Sequence, residues 1–149
     1  MNVLAGAIRL PDGTPVRGRG RREPLPGGPL PELGLFLGDP GPHPLPDWPV
    51  ERIDWPDFRV PRDLDAAVAS IRTAYEAARA GHRVEITCGG GTGRTGTAIA
   101  CMAVLAGHPA TDAVAWTRAV YRRRAVETPF QRRWVLRFAK AVGAAPSSP

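Results

Sequence analysis

Val84-Glu85-Ile86-Thr87-Cys88-Gly89-Gly90-Gly91-Thr92-Gly93-Arg94-Thr95-Gly96-Thr97 is the stretch on which the reading of this chain turns. A largely apolar, strand-like run ends in a cysteine, five small residues follow, and an Arg-Thr pair opens a long helical pattern. Four of the five intervening residues are glycine, which is costly in backbone entropy. Such a loop makes sense where amide N–H groups must turn inward around one point and β-carbons would obstruct them. Inward-facing amides at a helix N-terminus form an anion site, aided by the positive end of the helix dipole. The amides of Gly89, Gly90, Gly91, Thr92, Gly93 and Arg94 are therefore the expected phosphate contacts. The Arg94 guanidinium adds a planar fork able to grip two oxygens. Cys88 stands at the mouth of this positive nest, which favours a thiolate there. A nucleophilic sulfur aimed at a bound phosphorus is the chemistry that follows.

Three other readings compete for the same residues. A nucleotide-binding loop of the form G-x-x-x-x-G-K-[ST] fails at two defining positions, since Cys88 occupies its first glycine and Arg94 its lysine. The dinucleotide turn G-x-G-x-x-G is met only by accident in so glycine-rich a run. A structural turn with a buried cysteine leaves the Arg94-Thr95 pair unexplained.

The chain has 149 residues, 43% of them hydrophobic, which suits one domain with a real core, residues 1–149. No run reaches the length of a membrane span, and the first residues lack the charged-then-apolar plan of a signal peptide. Two cysteines cannot build a disulfide framework, so a reducing cytoplasm is the default expectation. The net charge of +6 is carried mostly by arginine, densest at Arg17-Arg19-Arg21-Arg22 and Arg122-Arg123-Arg124. Neither cluster is interleaved with stacking aromatics, which argues against sequence-specific nucleic-acid recognition. Attraction of anionic phosphoesters is the more economical use of the charge. Arginine over lysine with abundant Ala, Gly and Pro also matches a GC-rich bacterial genome.

Residues 1–49 read as Pro/Gly-rich strands and loops, 50–142 as the working core and 143–149 as a frayed tail. Residues 3–10 read as a strand, followed by a Pro11-Asp12-Gly13-Thr14 turn. Residues 16–22 form a short basic strand or loop. From 23 to 49 prolines and glycines exclude a helix, and the apolar island 33–37 is a buried strand. Residues 50–55 are a third strand candidate. Next comes Asp54-Trp55-Pro56-Asp57-Phe58-Arg59-Val60-Pro61, a carboxyl on a stiff loop between aromatics and prolines. Shielding of that kind favours the protonated form a general acid needs, and Asp57 is the expected donor. Helices are expected at 62–80, stopped by Gly81, and at 94–106, apolar nearly all round. Cys101 reads as a core thiol. A third helix, capped by Thr111, should run to about 124. The last opens at Thr128-Pro129-Phe130-Gln131 with proline at its first position and capping-box spacing. The sum is an α/β fold with a small, mostly parallel central sheet flanked by helices and the cysteine loop at a strand's C-terminal end.

On these residues the chain resembles the cysteine-dependent protein tyrosine phosphatases, including their dual-specificity branch. Cys88 to Arg94 matches the C-x5-R signature, and Thr95-Gly96 continues it. Trp55-Pro56-Asp57, closed by Pro61, is similar to the mobile loop bearing the general acid. Thr128 and Gln131 fall where the family places a Thr and a Gln in a water-positioning loop. The resemblance spans roughly residues 50–140 and implies a phosphomonoesterase needing neither metal nor cofactor. It further implies phosphotyrosine proteins as partners, with other phosphomonoesters as further substrates. In that mechanism Cys88 attacks phosphorus, Arg94 and the loop amides hold the equatorial oxygens, and Asp57 protonates the leaving oxygen. Thr95 steadies the sulfur, Trp55 and Pro56 support the acid loop, and Gln131 or Glu127 orients water. Two departures stand out: Thr87 replaces the family's usual histidine before the cysteine, and Glu127 replaces a glutamine of larger members. They motivate the alternative of a weak or inactive phosphate-binding module of the same fold. A sulfurtransferase-like domain is the remoter rival.

Overall fold

The computed structural model describes residues 3–39, 41 and 45–143. Five strands form one sheet: β1 (Ile8–Arg9), β2 (Pro15–Gly20), β3 (Leu33–Leu37), β4 (Val50–Ile53) and β5 (Val84–Cys88). Four helices accompany them: α1 (Leu64–Arg79), α2 (Gly93–Leu105), α3 (Ala113–Val120) and α4 (Pro129–Ala141). The strand order is β1-β2-β5-β3-β4, with β1 antiparallel to β2 and every other pair parallel. This is the mixed, mostly parallel sheet flanked by helices that the sequence predicts.

β5 owes its central place to its residues, all buried, as a parallel strand covered on both faces requires. Its one charged member, Glu85, points into a buried ion cluster. Arg17 Nε and Arg19 Nε donate to its Oε2 at 2.7 and 2.9 Å, and Arg19 Nη2 donates to Oε1 at 2.9 Å. Charges this deep persist only when paired and hydrogen-bonded. The cluster ties β2 to β5 and fixes their register, Arg17 opposite Glu85 and Gly20 opposite Cys88.

α1 starts where the Asp63 carboxylate accepts from the Ala66 amide, and ends at Gly81 with φ +101°. α2 is buried along almost its whole length. Gly96 permits this, since a β-carbon there would lie 2.5 Å from that of Ala125. Cys101 is a wholly buried core thiol on α2, its pKa pushed well up by burial.

Four expectations are corrected. Only Ile8–Arg9 of residues 3–10 is a strand, because the chain turns at Gly6 with φ +78° and the Ala7 amide donates to the Leu4 carbonyl. β4 stops at Ile53 instead of 55, because Trp55 drives into the core and is fully buried. Thr111 caps nothing: Ala110–Asp112 is a 3-10 turn and α3 begins after it. α3 also ends at Val120, short of 124. Beyond it the Arg118 guanidinium donates to the carbonyls of Ala125 (2.8 Å) and Val126 (2.7 Å), folding residues 121–126 back on the helix. Tertiary bonds there override helix propensity. The region 23–49 holds no helix among the described residues. The tail expected to fray lies outside them from residue 144 onward.

Candidate active site

Cys88 is buried, 2% exposed, and stands among the residues of the hydrophobic core. It sits at the end of β5, where the Gly91 amide and the Thr95 hydroxyl each donate to its sulfur at 3.1 Å. The loop from 89 to 93 then winds into the first turn of α2. Gly91 has φ +75°, and a β-carbon there would collide with the Gly20 backbone at the end of β2, so only glycine fits. The Tyr121 hydroxyl donates to the Gly91 carbonyl, and burial raises the pKa of that phenol, so it remains a donor.

Arg94 is 8% exposed. Its Nη1 donates to the Trp55 carbonyl at 3.1 Å, which couples the arginine to the root of the acid loop. Its Nε is buried and among the described residues has no hydrogen-bond partner, though it pairs ionically with Asp57 Oδ1 at 3.4 Å. A buried guanidinium nitrogen left without a hydrogen bond is costly, and an oxyanion in the cup would satisfy it. The sequence therefore brings Cys88, Arg94, Asp57 and Thr95 to one place.

The acid loop is built in two parts. Its root is fixed: the Trp55 ring packs on Trp134 with centroids 5.5 Å apart, and its indole N–H donates to the Arg59 carbonyl at 2.6 Å. Gln131 Nε2 donates to the same carbonyl at 3.1 Å. Its tip is exposed though paired with Arg94, with the Asp57 side chain 57% exposed and Phe58 at φ +61°, a strained conformation for an aromatic residue. The expected shielding of Asp57 is thus not found, since Trp55 lies beneath the loop while Phe58 is itself exposed.

Gln131 and Glu127 sit where α4 begins. Thr128 accepts from the Gln131 amide at 3.1 Å, so the capping pattern is met on that side. The fully buried Gln131 side chain instead spans two backbones, accepting from the Glu127 amide at 2.9 Å while donating to Arg59. Glu127 lies against Gly93 of the cysteine loop, where a β-carbon would strike its carboxylate.

Sequence reasoning took the N-terminal arginines only as a charge cluster that attracts anionic phosphoesters. Arg17, Arg19 and Arg21 alternate, so β2 and its continuation present them on one face. The first two meet Glu85. Arg21 Nη1 donates to the carbonyl and hydroxyl of Thr87 at 3.0 and 3.3 Å, and Nη2 donates to the carbonyls of Leu37 and Asp39 at 3.2 and 3.0 Å. Its guanidinium also lies 4.9 Å from the centre of the Phe36 ring. Burial lowers its pKa, and the nearby Cys88 opposes that shift. A fixed cation therefore stands behind the cysteine, bonded to the residue that takes the place of the family's histidine. On the far side, Arg122 Nη1 donates to the Gly90 carbonyl at 3.0 Å while Nη2 is held by Glu23 at 2.7 Å.

A buried thiol at the end of β5, a glycine-rich loop opening α2 and an arginine facing a carboxylate thus share one site. Residues 56–137 match the model for the Swiss Army Knife DSP-PTPase phosphatase domain, and the chain belongs to that family. No curated protein matches it in sequence. Among solved structures it is similar to Tk-PTP in its active form, at 24% identity and TM-score 0.65, over 74% of this chain and 79% of that one. It is also similar to the kinase-associated phosphatase KAP, at 16% identity and TM-score 0.61, over 76% and 71% of the two chains. PTPMT1 matches at 13% identity and TM-score 0.62, over 75% and 78%. At these identities the likenesses speak for the fold. No helix among the described residues is long and apolar enough to cross a membrane.

Proposed function

We propose that this chain is a metal-independent phosphomonoesterase of the protein tyrosine phosphatase type, working through a phosphocysteine. The observation that carries the proposal is the Cys88 sulfur held by an amide and a hydroxyl at 3.1 Å, near a buried arginine nitrogen that among the described residues makes no hydrogen bond and faces the Asp57 carboxylate at 3.4 Å. The phosphate of a phosphotyrosine side chain enters the cup, its three equatorial oxygens facing the amides of residues 89–94 and the Arg94 fork. The Cys88 thiolate attacks phosphorus in line as the bond to the phenolic oxygen breaks, and the Asp57 carboxyl gives that oxygen its proton. Asp57, now ionised, takes a proton from the incoming water, whose oxygen attacks the phosphocysteine. Inorganic phosphate leaves and the thiolate is restored. Thr95 stabilises the sulfur as it departs. The Gln131 side chain, spent on the Glu127 amide and the Arg59 carbonyl, is not free to orient the water and instead braces the acid loop, which leaves Glu127 beside Gly93 for that task.

Thr87 in place of histidine does not leave the cysteine unsupported, because Arg21 supplies both the tether and the positive charge at that spot. This favours turnover over a binding-only module. Phosphoserine and phosphothreonine esters belong to the same proposal as further substrates, and the two free cysteines suit a reducing cytoplasm. Hydrolysis of p-nitrophenyl phosphate in the presence of a chelator, then of a phosphotyrosine peptide, tests it. Absence of both activities at any pH between 5 and 8 would overturn it.

A further inference from the structure

The carbonyls from Cys88 to Thr92 each accept a hydrogen bond from a donor outside the loop. The Arg21 and Arg22 amides, where the chain leaves β2, donate to the Cys88 and Gly89 carbonyls at 2.8 and 3.4 Å. Arg122 Nη1 donates to the Gly90 carbonyl at 3.0 Å, and the Tyr121 hydroxyl to that of Gly91. The Gly96 amide, inside α2, meets the Thr92 carbonyl at 2.9 Å. No peptide bond among the described residues is cis, and a trans peptide points its N–H opposite to the C=O of the residue before it. A carbonyl drawn outward therefore turns the next residue's amide inward. At Gly91 both halves are visible: Arg122 holds the Gly90 carbonyl, and the Gly91 N–H meets the Cys88 sulfur at 3.1 Å.

The next peptide depends on one phenol. Glycine at 91 gives it wide freedom, so its orientation has to be imposed from outside. The Tyr121 ring is seated for this at the end of α3, and β2 keeps Gly18 where it passes, since a β-carbon there would lie 2.6 Å from the ring. The Thr92 side chain leaves the first-turn amides of α2 open, because it makes no capping bond and its Oγ1 accepts from Arg122 Nη1 at 3.3 Å. We infer that Tyr121 is a positioning residue for the phosphatase reaction proposed above: by drawing the Gly91 carbonyl out of the cup, it aims the Thr92 amide at a phosphate oxygen before charge develops there. It touches neither substrate nor sulfur and acts through a single peptide.

Tyr121→Phe removes the hydroxyl alone and keeps the ring. At a temperature where both proteins are fully folded, kcat for p-nitrophenyl phosphate is expected to fall about tenfold, the worth of one hydrogen bond. KM should change by less than about twofold, since the contact matters most in the transition state. Vanadate, whose adduct with a thiolate mimics that state, should lose affinity by the same factor as kcat in calorimetry. Amide exchange followed by NMR gives the local readout. Inorganic phosphate protects the Thr92 amide in the wild type, and Tyr121→Phe loses that protection more than it loses protection at Gly89. A bond that serves stability alone would lower the melting temperature and leave kcat, vanadate affinity and Thr92 protection unmoved, which overturns the inference. A Thr92 amide that phosphate leaves unprotected in the wild type overturns it as well. The inference rests on the phosphatase reading only for its kinetic arm. A wild type that binds phosphate and vanadate but hydrolyses nothing sinks that reading, and binding and exchange then decide the role of Tyr121. A wild type that binds neither anion overturns both.

Discussion

The cysteine loop and the acid loop face each other across a few ångströms and are built on opposite principles. The cysteine loop is held from every side: Gly20 behind Gly91, Tyr121 on the Gly91 carbonyl, Arg122 on Gly90, and Arg21 on Thr87. The acid loop is anchored at Trp55 and Arg59, and its exposed tip is held by the single Asp57–Arg94 pair at 3.4 Å. The difference suits their tasks. Oxyanion donors gain from being fixed before charge develops. An acid that must meet a substrate, then a water, has to be able to move.

Breaking the fixed side should cost the most. Cys88→Ser is expected to lower turnover of p-nitrophenyl phosphate by roughly 10⁵-fold or more, the scale of losing a nucleophile. Phosphate binding should survive, as read by calorimetry, because the cup's amides are untouched. Breaking the exposed side should cost less. Asp57→Ala should slow phosphotyrosine peptide by about 10²- to 10⁴-fold, and a ready leaving group such as p-nitrophenol by less. A silent Asp57→Ala would move the acid role to Asp54, whose exposed side chain pairs with Arg62 at 3.1 Å.

The tether behind the cysteine separates the two loops more finely. Arg21→Met removes four hydrogen bonds and a cation, and is expected to lower kcat about tenfold. Arg21→Lys should recover part of that loss. Thermal unfolding of both variants shows whether the loss follows stability alone. The smallest effect concerns pH. The bond from Arg122, then that from the Gly20 amide, hold the Glu23 carboxyl below its ordinary 4.5. Its contribution is complete above 4.5 and fades as pH falls through the lower folded-state value. Glu23→Gln should flatten that acid loss of stability by a small margin, measured by urea unfolding between pH 3 and 6, since the pair is partly exposed.

How much of this could be read from the sequence follows the same division. Local chemistry was legible: glycine density, a cysteine ending an apolar strand, proline after threonine, and the Trp-Pro-Asp triplet all carry their meaning within a few residues. Long-range pairing was not. Arg17, Arg19 and Arg21 read as composition until β2 is placed beside β5, sixty-odd residues away, where Glu85 and Thr87 receive them. α3 was drawn too long for a related reason, since the bonds that end it run to backbone carbonyls whose position no local pattern reveals.

The central claim concerns one atom, the sulfur of Cys88. Quenching the enzyme in acid during turnover of p-nitrophenyl phosphate, followed by peptide mass spectrometry, looks for it directly. A phosphoryl group on the peptide containing Cys88, absent from Cys88→Ser, is the predicted result. Steady hydrolysis with that peptide unmodified, or with the phosphoryl group on another residue, would contradict it.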